Sequence, residues 1–392
     1  VNLHYTPAEE AFRAEVRDFL ETSLARPEFS PLRGRGGPGD EHTCFEPRQA
    51  WEQFLGAAGY IGLGWPAAYG GRDATLVEQV IFHEEYARAK APGRLGHIGE
   101  MLLGPTLLAF GTEAQKQQFL PPIKRGEALW CQGYSEPEAG SDLANVRTVA
   151  VRDGDAWVIT GQKTWTSHGQ WADACFVLCR TRTDGPKHAG LSYILVPMRQ
   201  PGIEVRPIKQ MTGTSEFNEV FFDGARAPLE NVVGEVDGGW KVAMGTLAFE
   251  RGASTLGQQL SFENELKRLI EVAKARGLHH DPVLRDRITQ AWMGLEVMRL
   301  NTLRMLTALN RGVLVKEALI SKLYWSNWHR DLGKLAMDLG GLGGEVLAGA
   351  PYELDEFQRL FLFSRADTIY AGTNEIQRNL IAQRALELPK GP

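Results

Sequence analysis

The sequence predicts an α+β chain in three parts: a helical first third, a β domain, and a second helical bundle. Two changes of hydrophobic period carry this expectation. Apolar residues recur at helical spacing up to about residue 127, give way near residue 128 to alternating and short apolar runs, and return to helical spacing past Gly238-Gly239. Length agrees, because 392 residues exceed a typical single domain. The expected boundaries are 1–127, 128–235 and 236–392.

In chain order, Thr6-Pro7-Ala8-Glu9 reads as a capping box with proline at the first helical position, and Phe12, Val16, Phe19 and Leu20 form one apolar face behind it. Trp51, Phe54, Leu55 and Ala58 mark a second helix ending near Gly59. Thr75 with Glu78 and Thr112 with Gln115 open helices over about 76–90 and 113–124, and the apolar stretch Gly99 to Phe110 between them reads as a buried helix. His83-Glu84-Glu85 is expected on a solvated helix face. In the middle third, Val149-Ala-Val-Arg, the Asp153-Gly154 turn and Trp157-Val-Ile-Thr-Gly form a hairpin signal. Short strands follow at Cys175–Cys179, Ser192–Pro197, Gly202–Pro207 and Glu219–Asp223. The last third reads as helices over roughly 238–276, 281–311, 314–340 and 373–388, with a shorter element near 355–368, lengths that suit a long antiparallel bundle.

Composition narrows the function. A net charge of −5 without a Lys/Arg-rich run speaks against nucleic acid. Four scattered cysteines make no disulfide framework, and Cys175 and Cys179 read as small buried thiols. The opening residues show neither a basic nor an apolar targeting region, and no apolar run approaches a membrane span, so a cytoplasmic protein is expected. The nine histidines form no metal-binding spacing, and neither a Gly-x-Ser-x-Gly elbow nor a Walker-type loop occurs, which leaves hydrolase and NTPase readings weak.

Two stretches carry the chemistry. Trp130-Cys-Gln-Gly-Tyr-Ser-Glu-Pro-Glu-Ala-Gly-Ser-Asp-Leu143 starts as an apolar strand and becomes a turn-rich loop with backbone N–H groups and two serine hydroxyls, suited to a phosphate-bearing or electron-rich ligand. Gly161-Gln-Lys-Thr-Trp-Thr-Ser-His-Gly169 sets one tryptophan between hydroxyl residues, an aromatic wall for a flat cofactor. On these residues alone, two ordinary hairpin loops with Trp165 in the core explain the pattern equally well.

The order of helical, β and helical parts, the two stretches just quoted, and Thr368-Ile-Tyr-Ala-Gly-Thr-Asn-Glu-Ile-Gln-Arg378 together resemble the acyl-CoA dehydrogenase family over nearly the whole chain. The resemblance implies an N-terminal α-bundle, a middle β-barrel or sandwich and a C-terminal four-helix bundle. It implies FAD as cofactor, with Gln132, Tyr134 and Ser135 along the isoalloxazine, Gly140 and Ser141 at the phosphates, Trp165 and Ser167 beside the flavin near N5, and Thr373, Asn374 and Glu375 at the start of a C-terminal helix. Ser141, Phe249, Arg251, Tyr370, Ala371 and Gly372 correspond to substrate-contacting positions. The implied reaction removes an α-proton of an acyl thioester with a carboxylate while the β-hydride passes to the flavin, giving a trans-2-enoyl-CoA and sending electrons to an electron-transfer flavoprotein. The thioester carbonyl must be polarised for this, and a desolvated carboxylate is a sufficient base.

Three departures refine the resemblance. Many members carry the base as Glu directly before the Gly-Thr of the last motif, where this chain has Ala371; another branch carries it on the long helix after the β domain, where this chain has Leu247-Ala-Phe-Glu-Arg-Gly252, so Glu250 is the expected base with Arg251 ordering its surroundings. The family's Arg-x-Thr/Gln-Phe-Gly, which reaches a neighbour's FAD, is represented only by Arg276, and Met337 replaces the glutamine ahead of Gly340-Gly341-Leu-Gly343. These features resemble the branch with α2β2 dehydrogenases of steroid side-chain and other bulky acyl-CoA thioesters, and homotetramer and heterotetramer both stay open. A flavin oxidase or monooxygenase on the same fold, and a silent subunit that completes another chain's FAD pocket, are the alternatives. The small residues Gly99, Gly104 and Ala248 are expected to leave room for a bulky or branched chain.

Overall fold

The structure, a computed structural model, describes residues 4–249, 258–309, 316–346 and 353–389. Contacts divide the chain into two compact units, one of Pro27–Thr75 with Pro92–Gly252 and one of Val1–Arg26, Leu76–Ala91 and Ala253–Pro392.

The first of these units holds a seven-stranded sheet in the order β1-β4-β2-β3-β7-β6, with β5 paired to β4. The strands are β1 (Trp130–Gly133), β2 (Val149–Asp153), β3 (Ala156–Ser167), β4 (Ala174–Arg180), β5 (Leu191–Pro197), β6 (Ile203–Pro207) and β7 (Phe217–Pro228). The expected hairpin forms, β2 and β3 pairing antiparallel from Asp153↔Ala156 to Val149↔Thr160. β4 explains why a strand can be apolar at every position: Phe176 and Leu178 enter one core with Trp130 and Tyr193, while Cys175, Val177 and Cys179 enter the core on the opposite face with Trp157 and Ile159. Alternate side chains point to opposite faces, so a sheet covered on both reads as a continuous hydrophobic run. Cys175 and Cys179 are the buried free thiols that the sequence suggests.

Helices α2 (Phe45–Ala57), α4 (Gly104–Phe110), α5 (Glu113–Lys124) and α6 (Gly239–Phe249) belong to the same unit. Thr112 and Gln115 close the expected capping box on α5. The stretch before α4 is a π-turn over Gly99–Leu103 rather than regular helix. Space is not left open there: a Cβ on Gly104 would stand 2.1 Å from the Trp65 ring and one on Gly99 3.2 Å from Trp130. These glycines accept tryptophans, which corrects the expectation that they leave room for a ligand.

The second unit contains α1 (Pro7–Ser23), α3 (Leu76–Arg88), α7 (Gln259–Ala275), α8 (Pro282–Leu309), α9 (Ser321–Gly340), α10 (Glu356–Phe363) and α11 (Asn374–Leu380). The Thr6/Glu9 capping box forms at the start of α1, and Phe12, Val16 and Leu20 are buried. Beside this face, Arg13 reaches Glu84 at 2.7 Å and Glu85 at 2.8 Å, and Arg17 reaches Glu85 at 3.0 Å. Glu84 and Glu85 are therefore buried rather than solvated. Burial opposes the Glu85 charge, but Arg17, Arg13 and Arg88 outweigh it and hold the carboxyl down to about 2. Charge on a neighbouring helix overrode the polar pattern of α3. The last helix also differs from expectation, becoming a π-turn over Ile381–Ala385.

Candidate functional site

The loop after β1 and the end of β3 meet through one buried ion pair. Lys163 is fully buried, and its three ammonium protons go to the Tyr134 carbonyl at 3.0 Å, the Leu178 carbonyl at 2.7 Å and Glu136 Oε1 at 2.8 Å. Glu136 in turn accepts from the backbone N–H groups of Arg147 at 2.6 Å and Thr148 at 2.9 Å. Burial opposes both charges; it brings the Lys163 pKa below the usual lysine value against the pull of Glu136, whereas Lys163 and the backbone donors prevail at Glu136 and lower its carboxyl. The Thr164 N–H donates to the Ser135 carbonyl at 2.9 Å, so the two stretches singled out in the sequence are bonded to each other.

Immediately past Lys163 the pairing of β3 with β7 shifts register, and Trp165 takes a φ of 57°. A bulky side chain in left-handed backbone is held there by its surroundings, and such positions gather at functional sites. Trp165 is 58% exposed, so it is a presented aromatic surface and not core. Ser167, two residues on, is half-buried, as are Ser135, whose carbonyl accepts from the neighbouring Thr164 N–H, and Gln132 on β1. Tyr134 points inward, its ring edge-on to Phe176 at 5.8 Å and to Tyr193 at 6.2 Å. Gly140 and Ser141 lie exposed on the loop, and a Cβ on Gly140 would meet nothing within 4 Å. An exposed indole on a bulge, with Ser167 two residues on, Ser135 bonded through its carbonyl to the neighbouring Thr164, and the exposed Gly140-Ser141 loop following Ser135, fits a flat heteroaromatic ring with a phosphate tail.

The next residue, His168, also has positive φ, at 58°, and is buried. Burial lowers its pKa to about 3, with His97 and Arg48 adding to the effect, so the ring is neutral. Its Nδ1 and the Thr166 Oγ1 are buried without a protein partner among the described residues.

In the other unit, Tyr370 is 39% exposed, Ala371 has a φ of 51° and Gly372 a φ of 88°. Thr373 caps α11, its hydroxyl accepting from the Ile376 N–H at 3.2 Å. Asn374 turns inward: its Oδ1 accepts from Ser326 at 3.2 Å and its Nδ2 donates to Asn327 at 3.1 Å. Glu375 is exposed beside Arg378. Arg276 donates to the carbonyls of Leu339 at 2.7 Å and Gly340 at 3.5 Å, so it meets the C-terminal end of α9, where a cation is favoured, directly before Gly341. Phe249 is half-buried at the end of α6. Glu250 and Arg251 lie outside the described residues. Among the described residues no group of side chains could hold a metal ion, and no helix is long and apolar enough to cross a membrane.

Sequence reasoning missed Lys163 and Glu136, although both stand inside the quoted stretches; the signal was a lysine within a strand that opens on the apolar run Ala156-Trp-Val-Ile159, since a lysine buried there must find a carboxylate.

Most of the chain matches three family models: the acyl-CoA dehydrogenase N-terminal domain over residues 6–127, the middle domain over 131–225 and the C-terminal domain over 237–386. The chain is 54% identical over 389 residues to acyl-CoA dehydrogenase IpdE1 of Mycolicibacterium smegmatis, with 97% of each covered. It is 55% identical over 384 residues to acyl-CoA dehydrogenase IpdE1 of Mycobacterium tuberculosis, covering 97% of this chain and 98% of that protein. Among solved structures it is similar to the Tcur3481-Tcur3483 steroid ACAD, at a TM-score of 0.87 and 31% identity with 100% of both chains covered. The ChsE4-ChsE5 complex from Mycobacterium tuberculosis follows at 0.83 and 30%, also with 100% of both chains covered. With all three domains matched and relatives above half identity over nearly the full length, the chain belongs to the acyl-CoA dehydrogenase family of flavoprotein oxidoreductases.

Proposed function

We propose that the chain, carrying FAD, takes an α-proton and a β-hydride from an acyl-CoA thioester to leave the trans-2-enoyl-CoA, and passes the electrons to an electron-transfer flavoprotein. Bound FAD supplies the acceptor for the β-hydride. The residues proposed to hold it are Gln132, Tyr134, Ser135, Gly140, Ser141, Trp165 and Ser167, with Thr373, Asn374 and Glu375 contributing from α11. The observation that carries the reading is the presented Trp165, held at positive φ on a bulge that the Lys163–Glu136 pair ties to the Ser135 loop.

Glu250 is the proposed base, on the pattern Leu247-Ala-Phe-Glu-Arg-Gly252 and because Ala371 puts no carboxylate beside Gly372. Arg251 and Phe249 are proposed to shape its surroundings. The Ala371 backbone N–H is proposed to polarise the thioester carbonyl between Tyr370 and Gly372, which makes the α-C–H acidic enough for a carboxylate.

The test is the anaerobic visible spectrum of the flavin-loaded protein titrated with straight-chain, branched and steroid acyl-CoA thioesters, alongside Glu250→Gln. Bleaching of the oxidised flavin band by one thioester, lost in the variant, is expected. Equal bleaching by both proteins would remove Glu250 from its role, and a flavin that no thioester bleaches would count against the reaction.

A second reading, that the chain is one subunit type of an α2β2 enzyme for steroid or other bulky thioesters, is favoured by Arg276. Its guanidinium donates to the Leu339 and Gly340 carbonyls of its own unit, in a segment without the Thr/Gln-Phe-Gly that follows the arginine in the family pattern. The similarity to the two-component Tcur3481-Tcur3483 steroid ACAD and the ChsE4-ChsE5 complex points the same way. Protein that gains stoichiometric flavin only when a second chain is coexpressed would support this reading; full flavin loading of a homotetramer would overturn it. Arg276, at the end of α7, and Gly340 and Gly341, at the end of α9, are then proposed to border the cofactor.

A further inference from the structure

Behind the Tyr370–Gly372 turn lies a buried charge cluster that the proposed reaction does not use. His329, on α9, is buried with both ring nitrogens against carboxylates: Nδ1 stands 2.5 Å from Asp367 Oδ2 and Nε2 2.8 Å from Glu265 Oε2. An imidazole that faces two carboxylates satisfies both only when each nitrogen carries a proton. Phe262 of α7 stacks on the ring at 4.4 Å between centroids, closing one face.

Asp367 is the hub. It is almost fully buried, its Oδ2 accepts a hydrogen bond from the imidazole Nδ1–H and its Oδ1 accepts one from the Tyr370 hydroxyl at 2.7 Å. Its carbonyl accepts from Lys322, whose ammonium also lies over the rings of Trp325 at 4.5 Å and Tyr370 at 5.0 Å. The titratable groups around the imidazole are therefore Lys322 from its own helix, Glu265 from α7, and Asp367 and Tyr370 from the segment leading into the turn. Two cations against two carboxylates leave the cluster balanced, a condition for burying so much charge. Past Tyr370, Ala371 and Gly372 have positive φ, and their carbonyls accept from the buried Gln377 side chain at 3.2 and 3.4 Å. The turn is thus pinned on one side by Gln377 and on the other by a relay from His329 through Asp367 to the Tyr370 hydroxyl.

We propose that His329, as an imidazolium clamped between Glu265 and Asp367, is the positioning residue for the Tyr370–Gly372 turn and thereby sets the orientation of the backbone that polarises the acyl thioester. This rests on the function proposed above. His329 touches neither substrate nor cofactor in this role; it acts through Asp367. A neutral ring would keep only one of the two hydrogen bonds, and only the imidazolium holds Glu265 and Asp367 together; a ring that lost its Nδ1 proton would free Asp367 to turn away from Tyr370. Displacements of about 1 Å in a positioning group cost catalysis up to roughly a hundredfold.

The experiment has two arms on the flavin-loaded protein. In the first, 13Cε1-labelled histidine NMR, with His329→Gln to assign the signal, reads the charge of the ring between about pH 6 and pH 9. The imidazolium shift is expected throughout that range, and a neutral ring overturns the inference. In the second, the rate of thioester-dependent flavin reduction is measured for His329→Gln, Tyr370→Phe and the double variant. Each single change is expected to lower the saturating rate by at least about tenfold, with little change in the half-saturating thioester concentration. The double variant is expected to be no slower than the slower single, because both cut one relay. Wild-type rates in either single variant, or multiplicative losses in the double, overturn the inference. A purely structural role would instead lower thermal stability and flavin content in His329→Gln while sparing Tyr370→Phe; should His329→Gln not fold, Tyr370→Phe and the wild-type NMR signal decide the matter. If no thioester reduces the wild-type flavin, the proposed function fails, and the charge state of His329 is still decided by the first arm.

Discussion

Replacing Lys163 by methionine should unfold the strand-and-loop platform well before anything else in the chain. The perturbation removes one partner of a fully buried pair and leaves the other. Glu136 keeps its two backbone donors from Arg147 and Thr148 but loses its counter-charge, and the carbonyls of Tyr134 and Leu178 lose their donor in a place that water does not reach. Breaking a buried pair from one side costs about 3–5 kcal/mol. Methionine fills most of the volume, so no large cavity adds to this. For cooperative units of 150–250 residues, each kcal/mol moves the melting temperature by about 2–4 °C, which puts the expected fall at roughly 6–20 °C. Thermal unfolding followed by circular dichroism, with flavin release read in the same sample by fluorescence, makes the measurement. Lys163→Met combined with Glu136→Leu should recover part of the loss, since an apolar pair needs no compensation. A single variant that melts within about 2 °C of wild type would refute the reasoning, because the ammonium would then not be the bond that holds the Ser135 loop to β3.

Trp165→Gly should leave stability unchanged or raise it slightly, because the residue is mostly exposed and its positive φ costs of order 1 kcal/mol or more; flavin retention on gel filtration should fall in the same protein. His329 is shifted up to about 10, burial opposing the charge and Glu265 and Asp367 overcoming it, so its contribution to stability is complete below the ordinary histidine value and is lost as the pH rises through 10; the melting temperatures of wild type and His329→Gln should converge on the alkaline side. Glu85, depressed to about 2, has the opposite sense: its contribution is present above the ordinary carboxylate range and lost as the pH falls toward 2, so Glu85→Gln should narrow its deficit against wild type in an acid titration.

The parts of this molecule that were legible in the sequence are those governed by local rules. The Thr6 and Thr112 boxes, the Asp153-Gly154 hairpin and the apolar β4 each depend on residues within a few positions of one another, and each forms as the pattern implies. What was not legible depends on which distant residue arrives. Glu84 and Glu85 look like a solvated face until Arg13 and Arg17 of α1 pack against them. Gly104 looks like space until Trp65 fills it. His329 is one histidine on an amphipathic helix, and only the fold puts Glu265, 64 residues away, and Asp367, 38 residues away, on its two nitrogens. In the candidate site the motif residues could be named, but the backbone that presents Trp165 could not, because positive φ at a tryptophan is imposed by the register shift with β7 and not by any preference of its own.

The alanine at position 371 bears on how far base and carbonyl polarisation can be separated in this chain. Ala371 keeps a φ of 51° although it has a Cβ, and it does so without a side chain that could hold it there. The conformation is therefore enforced from outside: by Gln377 on the Ala371 and Gly372 carbonyls, by the Thr373 cap on the following turn, and by the Tyr370 hydroxyl on Asp367. A backbone whose shape depends on those neighbours presents the same N–H whatever stands on its Cα. Under the proposed reaction, removing a carboxylate from this position costs proton abstraction and nothing else, and a base supplied from the Leu247–Gly252 stretch restores it without rebuilding the turn. The same logic predicts that Ala371→Glu would return a carboxylate beside Gly372 at little cost in stability. It should not increase activity while Glu250 is present, and measurable flavin bleaching by Ala371→Glu in the Glu250→Gln background would show that the two positions address the same α-proton.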